Sequence, residues 1–196
     1  MILPIVAYGD PVLRKLGKDV ETDQLDIKAL VANMWETMYN AKGVGLAAPQ
    51  IGKALRLFIV DTTPFSDDEE LSVAEQETLD GFKKVFINAQ IQEETGNDWT
   101  FNEGCLSIPD IREDIVRKDT ITLTYFDENF KKYIETYDGL LARVIQHEYD
   151  HIEGVLFTDK LSPLRKRLLK GRLANISKGK ISVDYRMRFP KLKKGR

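Results

Sequence analysis

Both histidines of the chain stand four residues apart, in Gln146-His147-Glu148-Tyr149-Asp150-His151. Residues four apart project from one face of an α-helix, so His147 and His151 can hold one metal ion there while Glu148 points beside them. The pattern is a His-Glu-x-x-His metal motif. Two histidines scattered at random over 196 positions fall at this spacing roughly once in a hundred times, so chance explains it poorly. The bland alternative is a pair of satisfied polar groups on a half-buried helix. The flanking residues predict the helix independently: Asp138 stands at an N-cap position, Gly154 is placed to end it, and Leu141, Val144, Ile145, Tyr149 and Ile152 recur at helical spacing. A half-buried metal face follows, which suits a catalytic ion because excluded water strengthens its pull on a carbonyl.

The helix needs a body to pack on, and 196 residues with 42% hydrophobic content suffice for one domain without disulfides. A single cysteine, Cys105, excludes an internal disulfide and leaves a free thiol, a metal thiolate or an inert buried side chain. The N-terminal Met1-Ile2-Leu3-Pro4-Ile5-Val6 lacks a basic leader pattern, and no apolar run is of membrane-crossing length, so a cytoplasmic protein without a membrane partner is expected. The net charge of −2 hides an asymmetry: residues 161–196 carry thirteen Lys or Arg against Asp184 alone, about +12, on an acidic body of about −14. Such a body is not expected to bind nucleic acid or to read specific DNA, but the tail can meet phosphates.

Along the chain, Asp10-Pro11-Val12-Leu13 reads as a capped helical turn. Residues 24–42 read as an amphipathic helix with Leu25, Ile27, Leu30, Val31, Met34, Trp35 and Met38 on its apolar face, Asp23 as cap and Gly43 as stop. Gly43-Val44-Gly45-Leu46-Ala47-Ala48-Pro49-Gln50 then reads as a loop lining a substrate site, since it lacks the Lys-Ser/Thr ending of a phosphate loop. Strands are expected at residues 55–60 and 84–91, separated by an exposed insertion at 61–82 that holds eight acids and no Lys or Arg. Its Ser72-Val73-Ala74-Glu75 forms a capping box. Thr120 to Tyr137 reads as a hairpin turning at Asp127-Glu128-Asn129. The predicted class is α+β: antiparallel or mixed sheets packed around a central metal-binding helix, with an N-terminal helix. Residues 1–162 form the catalytic domain, and 163–196 a basic C-terminal extension packed on or projecting from it.

Two histidines leave a catalytic metal one protein ligand short, and a carboxylate or a cysteine is the usual third. Beyond Glu153 only Asp159 and Asp184 are acidic, neither in a convincing helix, which turns attention to Cys105 in Asn102-Glu103-Gly104-Cys105-Leu106-Ser107. Cys105, His147 and His151 would leave a fourth position for water.

Three segments now stand together: Gly43-Val44-Gly45-Leu46-Ala47-Ala48-Pro49-Gln50, Glu103-Gly104-Cys105-Leu106-Ser107 and His147-Glu148-Tyr149-Asp150-His151. In content and order they resemble the motifs of the peptide deformylases, over roughly residues 1–162. The resemblance implies an enzyme that removes the formyl group from N-formylmethionyl nascent peptides. It implies ferrous iron as the native metal, with nickel, cobalt or zinc able to take its place; ligand softness alone allows zinc equally. It also implies that the Gln50 side-chain amide and the Leu106 N–H bind the oxyanion, that Gly45 lines the channel, and that Val44 and Val144 flank a methionine pocket. Glu103 and Arg117 would be a buried pair behind the ligands; the alternative is a surface ion pair worth under about 1 kcal/mol.

Glu148 is the natural proton carrier, taking a proton from a water that a bound metal activates and returning it to the departing amine. A cysteine-nucleophile reading fails because no third histidine exists to serve as its base. A metallopeptidase differs from a deformylase in releasing no formate, and a silent metal module requires that Glu148 miss the water. In the tail, leucines at helical spacing among basic residues over 163–173 suggest docking on ribosomal RNA, while residues 180–189 alternate like a strand that packs on the body.

Overall fold

The computed structural model describes residues 1–22, 26–67, 69 and 71–190. A short strand β1 (Ile5–Val6) leads into a 3-10 turn, Pro11–Arg14, capped by the Asp10 side chain. Helix α1 spans Ile27–Asn40 and is capped by Asp26. The expected cap Asp23 and the expected apolar residue Leu25 lie outside the described residues. Its end is turned by Lys42, at φ 55°, rather than by Gly43, whose N–H instead donates to the Met38 carbonyl.

The segment read as a loop is partly a strand: β2 (Gly45–Ala47) runs into a 3-10 turn, Ala48–Ile51. Next come β3 (Leu57–Asp61), a 3-10 turn at Thr63–Phe65, and α2 (Val73–Leu79), where Ser72 and Glu75 form the capping box. Two long strands follow, β4 (Lys83–Cys105) and β5 (Ile108–Phe126), then β6 (Lys132–Asp138) and α3 (Gly139–Ile152). Residues 92–101, unassigned by periodicity, continue β4 through to Cys105 because β5 pairs with them; register shifts at Ile91/Glu93 and Thr95/Asp98 break the strict alternation that marks a strand in sequence. Helix α4 (Pro163–Ser177) and β7 (Met187–Arg188) complete the chain. No described helix is long and apolar enough to cross a membrane.

β2 to β6 form one antiparallel five-stranded sheet in sequence order, and β1 and β7 pair in parallel as a second, two-stranded one. β3 is buried along its whole length because helices cover both faces. Leu57, Ile59, Val85 and Ile87 pack with Leu30, Val31, Met34 and Met38 of α1. The alternate residues Phe58, Val60 and Phe86 pack with Leu141, Val144, Ile145 and Ile152 of α3. α3 is thereby fixed against β2, β3, β5 and β6, with Asp138 at its N-cap position making no side-chain cap bond and Gly154 closing it at φ 72°. A third cluster joins Leu169, Leu173 and Ile176 of α4 to Val6, Ala7, Ile108, Ile111 and Ile115. Within the basic tail, α4 therefore packs on the body, and the strand expected over 180–189 shortens to the two residues of β7 that pair with β1.

Phe58 is fully buried and stacks on Phe86 at a centroid distance of 4.7 Å, on the face of the sheet that supports α3. Phe58→Ala is expected to cost about 3–5 kcal/mol in urea denaturation, because the rigid neighbours cannot fill the cavity. A loss under about 1 kcal/mol would show that the sheet collapses onto the gap.

Candidate metal centre

α3 delivers three side chains, from positions 147, 148 and 151, to one point. His147 and His151 lie with ring centroids 5.2 Å apart, and Glu148 projects beside them, 4% exposed. The third donor comes from the far end of β4: Cys105 Sγ stands 3.3 Å from His151 Nε2, and one ligand atom each of Cys105, His147 and His151 all lie within 4.8 Å of one another. Among the described residues this is the one group of three or more such side chains that can hold a metal ion. A thiol and two imidazoles are a donor set that suits a divalent transition metal.

Cys105 is brought there by a two-residue turn, Leu106–Ser107, joining β4 to β5. Cys105 pairs with Ile108 whereas Gly104 pairs with Arg112, so Pro109, Asp110 and Ile111 bulge out of the ladder; Asp110 adopts φ 62°. The bulge lets the strand carry Cys105 out of the sheet toward α3.

Behind the donors sits Glu103, 4% exposed. Its carboxylate accepts from Arg117 Nε at 2.7 Å and Nη2 at 3.0 Å, from Arg143 Nη1 at 2.9 Å, and faces His147 Nδ1 at 2.9 Å. Arg117 also reaches Asp150 at 2.7 Å. Burial alone would raise the Glu103 pKa, but hydrogen bonds from His147 and Arg117 hold it well below the usual carboxylate range. His147 is opposed by burial in the same way, and its hydrogen bonds to Cys105 and Glu103 prevail and raise its pKa. His151, desolvated and next to the charges of His147 and Arg117, is held neutral. With Nδ1 of His147 turned to Glu103, its Nε2 is the nitrogen left for a metal.

Glu148 differs from Glu103 in having no cation within hydrogen-bond reach. Its Oε2 is buried without a partner, and burial pushes its pKa up to about 7. Gly45 of β2 lies directly against it: a Cβ there would come within 2.7 Å of the Glu148 Cδ. Gln50, 1% exposed, is oriented by its carbonyl oxygen, which accepts from the Ala47 N–H at 2.8 Å; its Nε2 then faces Cys105 Sγ at 3.5 Å and Ser107 Oγ at 3.4 Å. All of this opens on a cavity of about 690 Å³ lined by Val44, Gly45, Gln50, Leu106, Val144 and Glu148, among others.

The structure thus brings together Val44, Gly45, Gln50, Glu103, Cys105, Leu106, Val144, His147, Glu148 and His151, with Arg117 behind Glu103. Sequence reasoning missed Arg143, 2% exposed, whose guanidinium bonds Glu103, the Ile115 carbonyl at 3.1 Å and the Trp99 carbonyl. Its one signal was position: Arg143 precedes His147 by four residues on α3, hence on the same face. Phe65, which also lines the cavity, gave no signal, and Ser182 to Tyr185, within the stretch expected to pack on the body as a strand, gave none of reaching the cavity.

A family model of polypeptide deformylase matches residues 2–167. The chain is 64% identical to the peptide deformylase of Christiangramia forsetii and 62% identical to that of Flavobacterium johnsoniae, each over 100% of both chains. Among solved structures it is similar to a peptide deformylase from Legionella pneumophila, with a TM-score of 0.77 and 37% identity over 92% of this chain and 98% of that one. A peptide deformylase from Thermotoga maritima matches with a TM-score of 0.70 and 36% identity, over 83% and 99%.

Glu103→Ala is expected to cost about 3–5 kcal/mol of stability, since it strips one buried carboxylate from two buried guanidinium groups. A shift below about 1 kcal/mol in the urea unfolding free energy would mean that Asp150 and the carbonyls suffice for both arginines.

Proposed function

The chain belongs to the peptide deformylase family, metal-dependent hydrolases that remove the N-formyl group from the formyl-methionine of newly made polypeptides and release formate, and we propose how its own residues carry out that reaction. Cys105, His147 and His151 hold the metal, with α3 as the metal-binding helix about which the sheets are arranged. The metal is ferrous iron, for which nickel, cobalt or zinc substitutes. When bound, it supplies a Lewis acid that makes a water acidic enough to lose its proton near neutral pH and polarises the formyl carbonyl.

Glu148 takes that proton. The observation that carries this reading is its buried, partnerless Oε2 beside both histidines on the wall of the cavity, which suits a group that must accept a proton and later give it up. The deprotonated water oxygen adds to the formyl carbon, and as the C–N bond of the tetrahedral intermediate breaks Glu148 delivers the proton to the amine nitrogen, leaving a free N-terminus and formate. The Gln50 Nε2 and the Leu106 N–H donate to the oxyanion, and Gln50 is pre-oriented for this by Ala47. Gly45 leaves room for Glu148 and the substrate backbone, and Val44 and Val144 flank the methionine side chain. Glu103, paired to Arg117, fixes His147 through Nδ1 and favours its Nε2 as ligand.

Residues 1–162, with the acidic insertion 61–82, are the catalytic domain of a cytoplasmic enzyme, and 163–196 its basic extension. That extension docks on ribosomal RNA, where formylated chains emerge. Support comes from α4, which buries Leu169, Leu173 and Ile176 while Arg167 and Lys170 stay exposed; Lys166 and Arg172, also exposed, bond the Asp159 and Asp110 carbonyls.

Cys105→Ser, His147→Ala and His151→Ala are each expected to lose stoichiometric metal, whereas Glu148→Gln keeps it and loses about a hundred-fold or more in formate release. Metal analysis of anaerobically purified protein should find iron. Full metal content in any ligand variant, or normal turnover in Glu148→Gln, refutes the assignment. For the extension, Arg167→Glu combined with Lys170→Glu should leave activity on a short formyl-methionyl peptide intact while abolishing salt-sensitive co-sedimentation with ribosomes. Co-sedimentation that persists unchanged across salt speaks against docking through α4.

A further inference from the structure

We propose that Tyr185 is a positioning residue for the deformylation reaction: the C-terminal strap of residues 182–188 holds the Leu106–Ser107 turn in place through its hydroxyl. The proposal rests on Leu106 N–H and Gln50 being the oxyanion donors.

The turn carries Cys105 at its start and the Leu106 N–H within it, yet as a two-residue connection it has few bonds of its own to fix its carbonyls. Both are held from outside. The Tyr185 hydroxyl donates to the Leu106 carbonyl at 2.7 Å, and the Tyr8 N–H donates to the Ser107 carbonyl at 2.8 Å. Tyr8 follows β1 and Tyr185 precedes β7, and the two strands are joined by Ile5 N–H to the Arg186 carbonyl at 2.8 Å and Ala7 N–H to the Arg188 carbonyl at 2.9 Å. One small parallel ladder therefore grips the turn at both peptide units.

The same strap reaches the carrier of the other donor. Arg188 lies so close to Gly52, which closes the 3-10 turn bearing Gln50, that a Cβ on Gly52 would stand 2.5 Å from Nη2. Ser182, Val183, Asp184 and Tyr185 also line the catalytic cavity. Tyr185 packs among the apolar residues around α1 together with Leu106 and Met187. Burial, followed by the nearby Cys105 and Asp110 charges, raises the Tyr185 pKa, so the phenol remains a donor over the working pH range. Freeing the Leu106 carbonyl lets the residue rotate about its own backbone, and an oxyanion donor displaced by a fraction of an ångström stabilises the transition state less without weakening ground-state binding.

Tyr185→Phe removes only the oxygen. In the metal-loaded full chain acting on a formyl-methionyl tripeptide, it should lower kcat about 10-fold while KM stays within about 2-fold and metal per chain is unchanged. Gln50→Ala, measured in parallel, should lower kcat about 100-fold. Both falls together, at full metal content and well below each melting temperature, support the proposal. A normal kcat in Tyr185→Phe beside an impaired Gln50→Ala overturns the positioning role and leaves the oxyanion assignment standing. A lower melting temperature or lost metal with normal kcat per bound metal likewise makes the phenol merely structural. A normal kcat in Gln50→Ala overturns the oxyanion assignment and this proposal with it.

Discussion

A single buried carboxylate, Glu103, ties the hairpin to the helix on which the metal centre depends. It stands near the end of β4 and accepts hydrogen bonds from Arg117 on the paired strand and from Arg143 on α3, while contacting His147. Those four groups come from three elements, and a carboxylate with two oxygens satisfies all of them only if the strands and the helix keep one relative position. Two buried guanidinium groups are costly to desolvate, and their charge is matched by Glu103 and by Asp150, which takes the remaining side of Arg117. The cost of taking these charges out of water is exchanged for positional certainty at His147.

The two carboxylates of the centre show how environment divides their roles. Glu103 and Glu148 are both 4% exposed, yet one is drawn far down by its cationic neighbours and the other is pushed up to about 7 by burial. Glu103 is therefore fixed as an anion and serves as an acceptor, whereas Glu148, with no cation within hydrogen-bond reach, has its neutral form favoured by burial. Gly45 belongs to the same arrangement: only a residue without Cβ lets β2 pass so close to the Glu148 carboxyl.

Residues 5–8 and 185–188 pack against the candidate centre. β1 and β7 meet beside the Leu106–Ser107 turn, and α4 packs Leu169, Leu173 and Ile176 against Ile108, Ile111 and Ile115 of the hairpin. α4 thus buries one side and leaves its basic side chains outward. One segment packs on the hairpin through Leu169, Leu173 and Ile176 and leaves Lys166, Arg167, Lys170 and Arg172 exposed.

Much of this was written in local sequence. The helical spacing of His147 and His151, the capping box at Ser72, the apolar face of α1 and the Asp127 turn are signals contained within a few residues, and helices and turns answer to such signals because their hydrogen bonds are local. The deformylase motifs added the three segments that meet at the metal. What periodicity could not supply was anything requiring a partner distant in the chain. β4 runs on to Cys105 only because β5 pairs with it through several bulges; Arg143 looked like one more polar helix residue until Glu103 was brought beneath it. Tyr185 reaches Leu106 across 79 residues, a contact that exists because β7 pairs with β1. Sequence alone determined the side-chain types of the candidate metal centre and the helix that carries two of them, since both rest on residue chemistry and short-range geometry. Tertiary structure alone decided which charges are buried together and which chain ends hold the turn, since burial and long-range pairing are properties of the assembled fold.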